Sequence, residues 1–301
     1  MAADRYYQQR IGMDPPTTGL RNSPARRMDL ILDAPKKTTN TMKTVDKAFN
    51  LLNYFTISES EFGLSELARK AELDKATTLR ILTSLMKHGF IEQVDFSKKY
   101  RLGASVLRFA KIREATFPIA STVQPWVDWL AEQTSETAHA SLASEDALTT
   151  IAIAEPARST RVFVDLSQPL PYHATASGLA YLAFAHPDVA EAALAADAFP
   201  PHTDRTPRTA DEMREMIAKV RQRGYAVGRR SFETEVTGIA APIFNAAGHA
   251  FGAIAVASIA SRTSEEVEVS IARHVVRAAI EVSRALGADS HPSLLAADKA
   301  L

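Results

Sequence analysis

The sequence of 301 residues contains no cysteine and no long apolar run, and its charges balance to zero. The absence of cysteine excludes disulfide frameworks and thiolate metal sites, and it fits a reducing compartment. The longest apolar stretch in the C-terminal half, residues 250–260, is too short to span a bilayer. The first residues lack the apolar segment of a secretory signal. These absences predict a cytoplasmic protein with no membrane partner.

The sequence also lacks the patterns that enzymes commonly carry. Its histidines are dispersed, and no two of them have the spacing of a helical metal site. It has no Gly-x-Ser-x-Gly turn, and its 12 glycines form no phosphate-binding loop. His139 lies in a predicted strand and is interpreted as a packed or surface histidine rather than a ligand. We therefore expect no catalytic residues, no metal and no cofactor.

The charges are unevenly distributed along the chain. Residues 1–43 carry eight Lys or Arg and four Asp, and residues 44–103 carry nine basic and eight acidic side chains. The downstream part is therefore slightly acidic. A neutral total counts against a nucleic-acid-binding protein, but this distribution is compatible with a basic DNA-facing surface and a separate acidic body.

The length favours two domains, and the pattern changes support this division. Residues 1–41 are rich in proline without helix or strand periodicity, which predicts a disordered arm. Residues 42–103 contain three amphipathic helical patterns, of which the third begins after the N-cap residue Asp74 and ends at Gly89. Two short strands then flank residues 95–99, a polar turn. This order predicts a winged helix-turn-helix.

One face of the third predicted helix suits DNA. It combines short hydroxyls with long cations and lacks acidic residues, whereas the opposite face is apolar. The predicted DNA contacts on this face are Lys75, Ala76, Thr77, Arg80, Thr83, Ser84 and Lys87. The hairpin adds Lys98, Lys99 and Arg101. Arg80 has the chemistry to contact either a guanine or a phosphate, and the sequence leaves both open.

The remaining chain predicts a linker and a second domain. Residues 104–117 form an apolar-striped linker helix, residues 118–287 a mixed domain, and residues 288–301 a flexible tail. The fold class is α+β, with a mostly antiparallel sheet flanked by helices. The predicted strands are 137–143, 148–154, 161–166, 226–227, 238–244 and 251–258, and the predicted helices are 119–133, 176–185, 211–223 and 264–286.

Motifs in both halves resemble those of IclR-type bacterial regulators. The N-terminal matches are Thr44-Val45-Asp46-Lys47-Ala48, Leu64-Ser65-Glu66-Leu67-Ala68, residues 75–82, His88-Gly89-Phe90-Ile91 and Tyr100-Arg101-Leu102-Gly103. The C-terminal matches are His173-Ala174-Thr175-Ala176-Ser177-Gly178, Arg223-Gly224-Tyr225-Ala226 and residues 238–244. Each motif alone is weak, but the set keeps the family's order and spacing over residues 42–287.

This resemblance implies a promoter-binding regulator with a GAF-like effector domain. It implies a homodimer or homotetramer whose binding to double-stranded promoter DNA responds to a small organic or aromatic acid, controlling a catabolic pathway. The implied effector contacts are His173, Ala176, Ser177, Gly178, Glu233, Glu235, Ala255 and Ala257. Whether the regulator represses or activates stays open.

Several of these positions depart from the family's pattern. Leu179 stands where lysine is usual, and Glu235 stands where the family tends to have glycine. Ala255 and Ala257 replace the two serines of a common Ser-x-Ser strand motif. Because two hydroxyls are lost, we expect a more apolar pocket and a more hydrophobic effector than a two- or three-carbon keto acid.

Two alternatives of other classes remain. The chain could sense a metabolite and act through protein contacts without specific DNA binding, although the intact set of Thr77, Arg80, Lys98 and Lys99 argues against this. It could also be a hydrolase with a nucleic-acid-binding module, which the missing catalytic motif opposes.

Overall fold

A computed structural model of the chain describes residues 42–144, 146–195 and 199–301. The predicted N-terminal arm lies outside these residues. The described chain forms two compact units. One contains residues 42–119 with Asp165–Gln168, and the other contains Ala120–Val164 and Pro169–Leu301. Among the described helices, none is both long and apolar enough to cross a bilayer.

The first unit has the predicted winged helix-turn-helix order. Its elements are α1 (Lys43–Leu52), α2 (Leu64–Lys70), α3 (Lys75–Lys87), β1 (Ile91–Gln93), β2 (Tyr100–Leu102) and α4 (Ala104–Thr116). The Asp74 carboxylate accepts a hydrogen bond from the Thr77 amide at 2.8 Å and so caps α3. Gly89, with φ of 71°, adopts the left-handed conformation that ends the helix.

An apolar core holds these elements in place. It consists of Leu51, Phe55, Phe62, Leu67, Ile81, Leu82, Ile91 and Tyr100. The backbones of Phe62 and Tyr100 exchange two hydrogen bonds, of 3.0 and 2.7 Å. This bridge fixes the hairpin to the segment before α2, so the wing has a set position relative to α3.

The second unit contains a six-stranded sheet in which every described strand pair is antiparallel. Its strands are β3 (Thr137–Ser144), β4 (Ala147–Ala154), β5 (Leu170–Pro171), β6 (Ala226–Arg229), β7 (Val236–Phe244) and β8 (Ala250–Ile259), in the order β5-β4-β3-β8-β7-β6. Its helices are α5 (Ile119–Thr134), α6 (Ala176–Phe184), α7 (Pro187–Leu194), α8 (Ala210–Arg223), α9 (Glu265–Ala285) and α10 (Pro292–Ala300). The predicted α+β fold is confirmed.

Register assigns residues to the two faces of the central strands. His139 pairs with Ala255, and Ala255 pairs with Ala240, so these three side chains share one face. The opposite face carries Ile239 and Val256, both fully buried. Helices α6 and α9 both pack against β7 and β8. Because the central strands are buried on both faces, the sheet forms the middle of the unit.

The predicted strand 161–166 is wrong. The described backbone has no strand there. The Val162 carbonyl instead accepts a hydrogen bond from the Thr137 hydroxyl at 2.6 Å. Alternating apolar residues favour an extended chain, but a strand also needs a neighbouring strand edge with which to pair. The edge of β4 that does not pair with β3 pairs with β5 instead.

The predicted flexible tail is also wrong, because α10 is a packed helix. Leu294 is fully buried and Ala297 nearly so. The His291 ring stacks on Phe244, with ring centroids 3.9 Å apart, and its Nδ1 accepts a hydrogen bond from the Ser293 amide at 3.3 Å. This histidine therefore caps the helix and joins it to the end of β7.

We predict that Leu294→Ala lowers the free energy of unfolding by about 2–4 kcal/mol, because it leaves a cavity under α10. Urea denaturation followed by circular dichroism measures this change. Lys299→Ala, at an exposed position of the same helix, is the control and should change stability by less than about 0.5 kcal/mol. Equal, small effects of both substitutions would contradict the packing of α10.

Candidate DNA-binding and effector-binding sites

The exposed face of α3 carries most of the predicted DNA contacts. The exposed members are Lys75, Ala76, Arg80, Thr83, Ser84 and Lys87, and Thr77 is half-buried. Thr78, Ile81 and Leu82 face the core. The helix period therefore divides α3 as the sequence predicted, into a packed face and a solvent-facing face.

Local hydrogen bonds organise this face. An Arg80 guanidinium nitrogen lies 3.4 Å from the Thr77 hydroxyl, and the Thr83 hydroxyl donates to the Leu79 carbonyl at 2.8 Å. Hydrogen bonds from Thr77 lower the pKa of the Asp74 carboxyl, which keeps this cap ionised. A negative charge thus borders the first turn, whereas the rest of the face is neutral or basic.

The wing turns at Lys98, which has φ of 55°. Val94 and Lys99 close the turn through a backbone hydrogen bond of 2.8 Å. Lys98 and Lys99 are exposed and make no ion pair among the described residues. Both cations are therefore available to a phosphate backbone.

Arg101 has intramolecular partners instead. Its Nε lies 2.6 Å from a Glu92 carboxylate oxygen across the hairpin, and its guanidinium also approaches Glu61, at 3.9 Å. These contacts offset its charge and join the hairpin to the segment before α2. Its predicted contact with DNA stays a prediction, and the geometry favours a structural role.

Sequence reasoning missed two apolar side chains on this surface. Leu79 is exposed on α3, and Phe96 is fully exposed at the wing tip. The sequence pattern predicts a polar turn at residues 95–99, but this turn presents an aromatic ring beside its two lysines. The signal was present in the sequence, since an aromatic residue at the centre of a short turn has no core to enter.

The second site is built around the first turn of α6. Thr175 caps this helix, because its hydroxyl accepts a hydrogen bond from the Gly178 amide at 3.0 Å. The amides of Ala176 and Ser177 have no hydrogen-bond partner among the described residues. Free amides at a helix start favour an anion there.

Glycines allow this turn to lie close to its neighbours. A Cβ atom on Gly238 would lie 3.2 Å from the Ala176 Cβ, so β7 approaches the helix closely. A Cβ atom on Gly178 would overlap the Tyr172 backbone. Gly178 therefore has a packing role, and its predicted effector contact stays a prediction.

Ala255 and Ala257 are buried on the sheet face below this turn. Ala257 pairs with Gly238, which underlies Ala176, and Ala255 pairs with His139. The structure therefore brings these two alanines together with Ala176 and Ser177 in one cluster at the first turn of α6. The two positions at which the resemblance implies serines therefore lie on the sheet face below the first turn of α6.

His139 is a member of this cluster that sequence reasoning did not assign to it. Its imidazole is buried, and its Nε2 lies 3.4 Å from the Ser177 hydroxyl. Burial lowers the pKa of this imidazole to about 4, so it is neutral near neutral pH. Strand alternation alone could have placed it on the same face as Thr137 and Ser141.

His173 lies at the rim of this cluster. One of its ring nitrogens is 2.9 Å from the Pro200 carbonyl oxygen, and its ring is near Phe199 and His202. The Ser231 hydroxyl donates to the Ala174 carbonyl at 2.7 Å. Loop 199–206 and the segment after β6 are thus fastened to the turn that precedes α6.

The two glutamates predicted to contact the effector are exposed and lie far in sequence from the first turn of α6. Glu233 and Glu235 lie between β6 and β7. Partial desolvation raises the pKa of the Glu233 carboxyl. The Glu235 carbonyl accepts the Ala260 amide at 2.8 Å, which fixes the backbone but leaves the carboxylate in solvent. Their effector contacts stay predictions.

Comparison with known proteins agrees with both halves of the chain. Residues 115–284 match the family profile of the bacterial transcriptional regulator IclR C-terminal region, and residues 44–95 match that of the IclR helix-turn-helix domain. The chain belongs to the IclR family of bacterial transcriptional regulators. It is a transcriptional regulator with a helix-turn-helix DNA-binding domain, and α10 lies beyond the residues matched to the family.

Individual IclR relatives resemble this chain over most of their length. The glycerol operon regulatory protein of Streptomyces coelicolor is 29% identical over 255 residues, covering 82% of this chain and 97% of that protein. An IclR-type regulator structure from Silicibacter sp. TM1040 has 37% identity and a TM-score of 0.75, covering 83% of this chain and 98% of that chain. An IclR homologue from Microbacterium hydrocarbonoxydans, complexed with 4-hydroxybenzoate, has 20% identity and a TM-score of 0.68, covering 81% and 98%.

Proposed function

We propose that this IclR regulator reads promoter DNA with α3 and the wing, and that a small organic acid held at the first turn of α6 modulates this binding. An aromatic acid is favoured, and the regulated genes belong to a catabolic pathway. The exposed basic and hydroxyl-rich face of α3 carries the DNA-binding part of the proposal. The alternative, a sensor without specific DNA binding, leaves this face without a role.

Arg80 is the best test of DNA reading, because its side chain is exposed and its only hydrogen bond in the described residues is to Thr77. We predict that Arg80→Ala weakens specific binding by about 1–3 kcal/mol, or roughly 5- to 150-fold, without lowering the melting temperature. Gel shifts on the DNA upstream of the gene, over a range of salt concentrations, measure the loss.

Two further variants sharpen this experiment. Arg80→Lys keeps the charge but not the bidentate geometry, so it should relax sequence preference if Arg80 contacts a base and preserve affinity if it contacts phosphate. Arg214→Ala removes an exposed arginine from α8 and should leave binding unchanged. A wild-type chain without any salt-sensitive, specific shift would refute DNA reading, and a large fall in melting temperature for Arg80→Ala would make Arg80 structural.

The acid part of the proposal is supported by the two free amides at the start of α6 and by the small, apolar residues beneath them. The Microbacterium homologue that binds 4-hydroxybenzoate has the same fold, which makes an aromatic acid a reasonable first probe. Ala255 and Ala257 stand where the resemblance implies serines, and the missing hydroxyls favour a ligand with an apolar ring or chain over a short keto acid.

We predict that benzoate or 4-hydroxybenzoate stabilises the chain more than pyruvate or glyoxylate does. At a concentration one hundred times Kd, a ligand adds about 2.7 kcal/mol, or several degrees in melting temperature. Thermal-shift assays measure the rise in melting temperature. Ala255→Ser introduces a hydroxyl and should reduce the difference between the aromatic acids and the small keto acids. Stabilisation by the small polar acids alone would refute the preference for an apolar body.

We also propose that two copies of the chain associate through the apolar face of α1 and through exposed apolar side chains of α4. Val45 and Phe49 are exposed one turn apart on α1, and α4 exposes Leu107, Phe109 and Ile112. Exposed apolar side chains in such number are typical of an interface. We propose a second copy of this chain as the partner that covers these side chains, because two half-sites in DNA need two recognition helices.

Phe49→Glu places a charge in this face, and we predict that it shifts the chain to monomers in analytical ultracentrifugation. Asn50→Glu, an exposed neighbour on the same helix, is the matched control and should leave the assembly intact. If Phe49→Glu sediments like the wild type, these helices are not the interface.

A further inference from the structure

His139 is a buried polar side chain of the effector domain that packing alone does not explain. It is 7% exposed, and its Nδ1 has no hydrogen-bond partner among the described residues. Burying an imidazole nitrogen without a partner is unfavourable, so most buried polar groups are satisfied. A histidine that only filled space could be replaced by an apolar ring without this loss.

The surroundings of His139 connect it to the first turn of α6. Its other ring nitrogen contacts the hydroxyl of Ser177, and the amide of the same Ser177 is one of the two free donors at the helix start. On the neighbouring strand its register partner is Ala255, which has no polar side chain. On β4 its register partner is Ile153, so neither directly paired residue offers His139 a polar side chain.

The Ser177 hydroxyl indicates which ring nitrogen carries the proton. Because this hydroxyl has no partner other than His139 among the described residues, donation to Nε2 satisfies its hydrogen and would place the proton of the neutral ring on Nδ1. The opposite tautomer would leave both the hydroxyl hydrogen and the Nδ1 lone pair unpaired. The unpartnered group is therefore a donor, as are the amides of Ala176 and Ser177.

We propose that His139 is a specificity-determining residue of the effector site, and that its Nδ1–H donates a hydrogen bond to the carboxylate of the acid effector. The two free amides at the helix start and the unpartnered Nδ1 of the imidazole that contacts Ser177 suit a ligand group that only accepts hydrogen bonds. The same arrangement disfavours a neutral amide, whose NH₂ would face donors. This inference rests on the proposed acid effector and adds the residue that distinguishes acids from their neutral analogues.

The test uses benzoate and benzamide as probes of the full chain, with isothermal titration calorimetry. We expect the wild type to bind benzoate at least tenfold more tightly than benzamide, and His139→Phe to lose most of this preference. His139→Asn keeps a donor close to the position of Nδ1 and should restore part of it. His139→Gln keeps a donor closer to Nε2 and should restore less.

A structural control separates affinity from stability. Ser283 is buried on α9, and its hydroxyl accepts a hydrogen bond from the Phe244 amide at 3.0 Å. Ser283→Ala should destabilise the domain yet leave the affinity for benzoate unchanged. Nitrogen-15 NMR of the wild-type histidines needs no variant, and it should show His139 protonated at Nδ1, with a shift of this nitrogen on addition of benzoate.

The outcomes are distinct. Equal benzoate affinity in the wild type and His139→Phe, or a proton on Nε2, overturns the role of His139 and leaves the acid-responsive regulator intact. Failure of the wild type to bind any of benzoate, 4-hydroxybenzoate, pyruvate and glyoxylate overturns the acid effector together with this inference. The gel shifts of Arg80 variants test DNA reading independently of both.

Discussion

The close approach of α6 to the sheet is the constraint on which the effector domain depends. Gly178 lies against the backbone of Tyr172, and Gly238 lies beneath Ala176. Any side chain at these two positions would push the helix away from its neighbours. Because the first turn is held this close, its free amides, the Ser177 hydroxyl and the His139 imidazole occupy one small region.

In the DNA-binding unit, different residues provide the packing and the exposed polar surface. The buried face of α3 packs into an apolar core, and the Phe62–Tyr100 bridge fixes the hairpin beside it. The cationic side chains on the exposed face of α3 are not needed to hold this unit together. Arg101 is the exception, since its pairing with Glu92 stabilises the wing itself. Rigid support and free side chains therefore come from different residues of the same short elements.

Much of the fold could be predicted from local patterns. The 3.6-residue period and the Asp74 cap predict α3, and the predicted strands 238–244 and 251–258 correspond to β7 and β8. The failures have a common cause. Residues 161–166 have the pattern of a strand but no partner edge, and the C-terminal helix has weak periodicity and is stabilised by tertiary contacts of Leu294 and His291.

The sequence alone determined that the chain has a winged helix-turn-helix whose third helix has an exposed, hydroxyl- and cation-rich face, because helix period and capping are local properties. Tertiary structure decided which functional candidates meet. It brought His139 to Ser177 across 38 positions of sequence and gave Arg101 acidic partners. Burial, register and the pairing of a charge depend on neighbours distant in sequence, which no local pattern encodes.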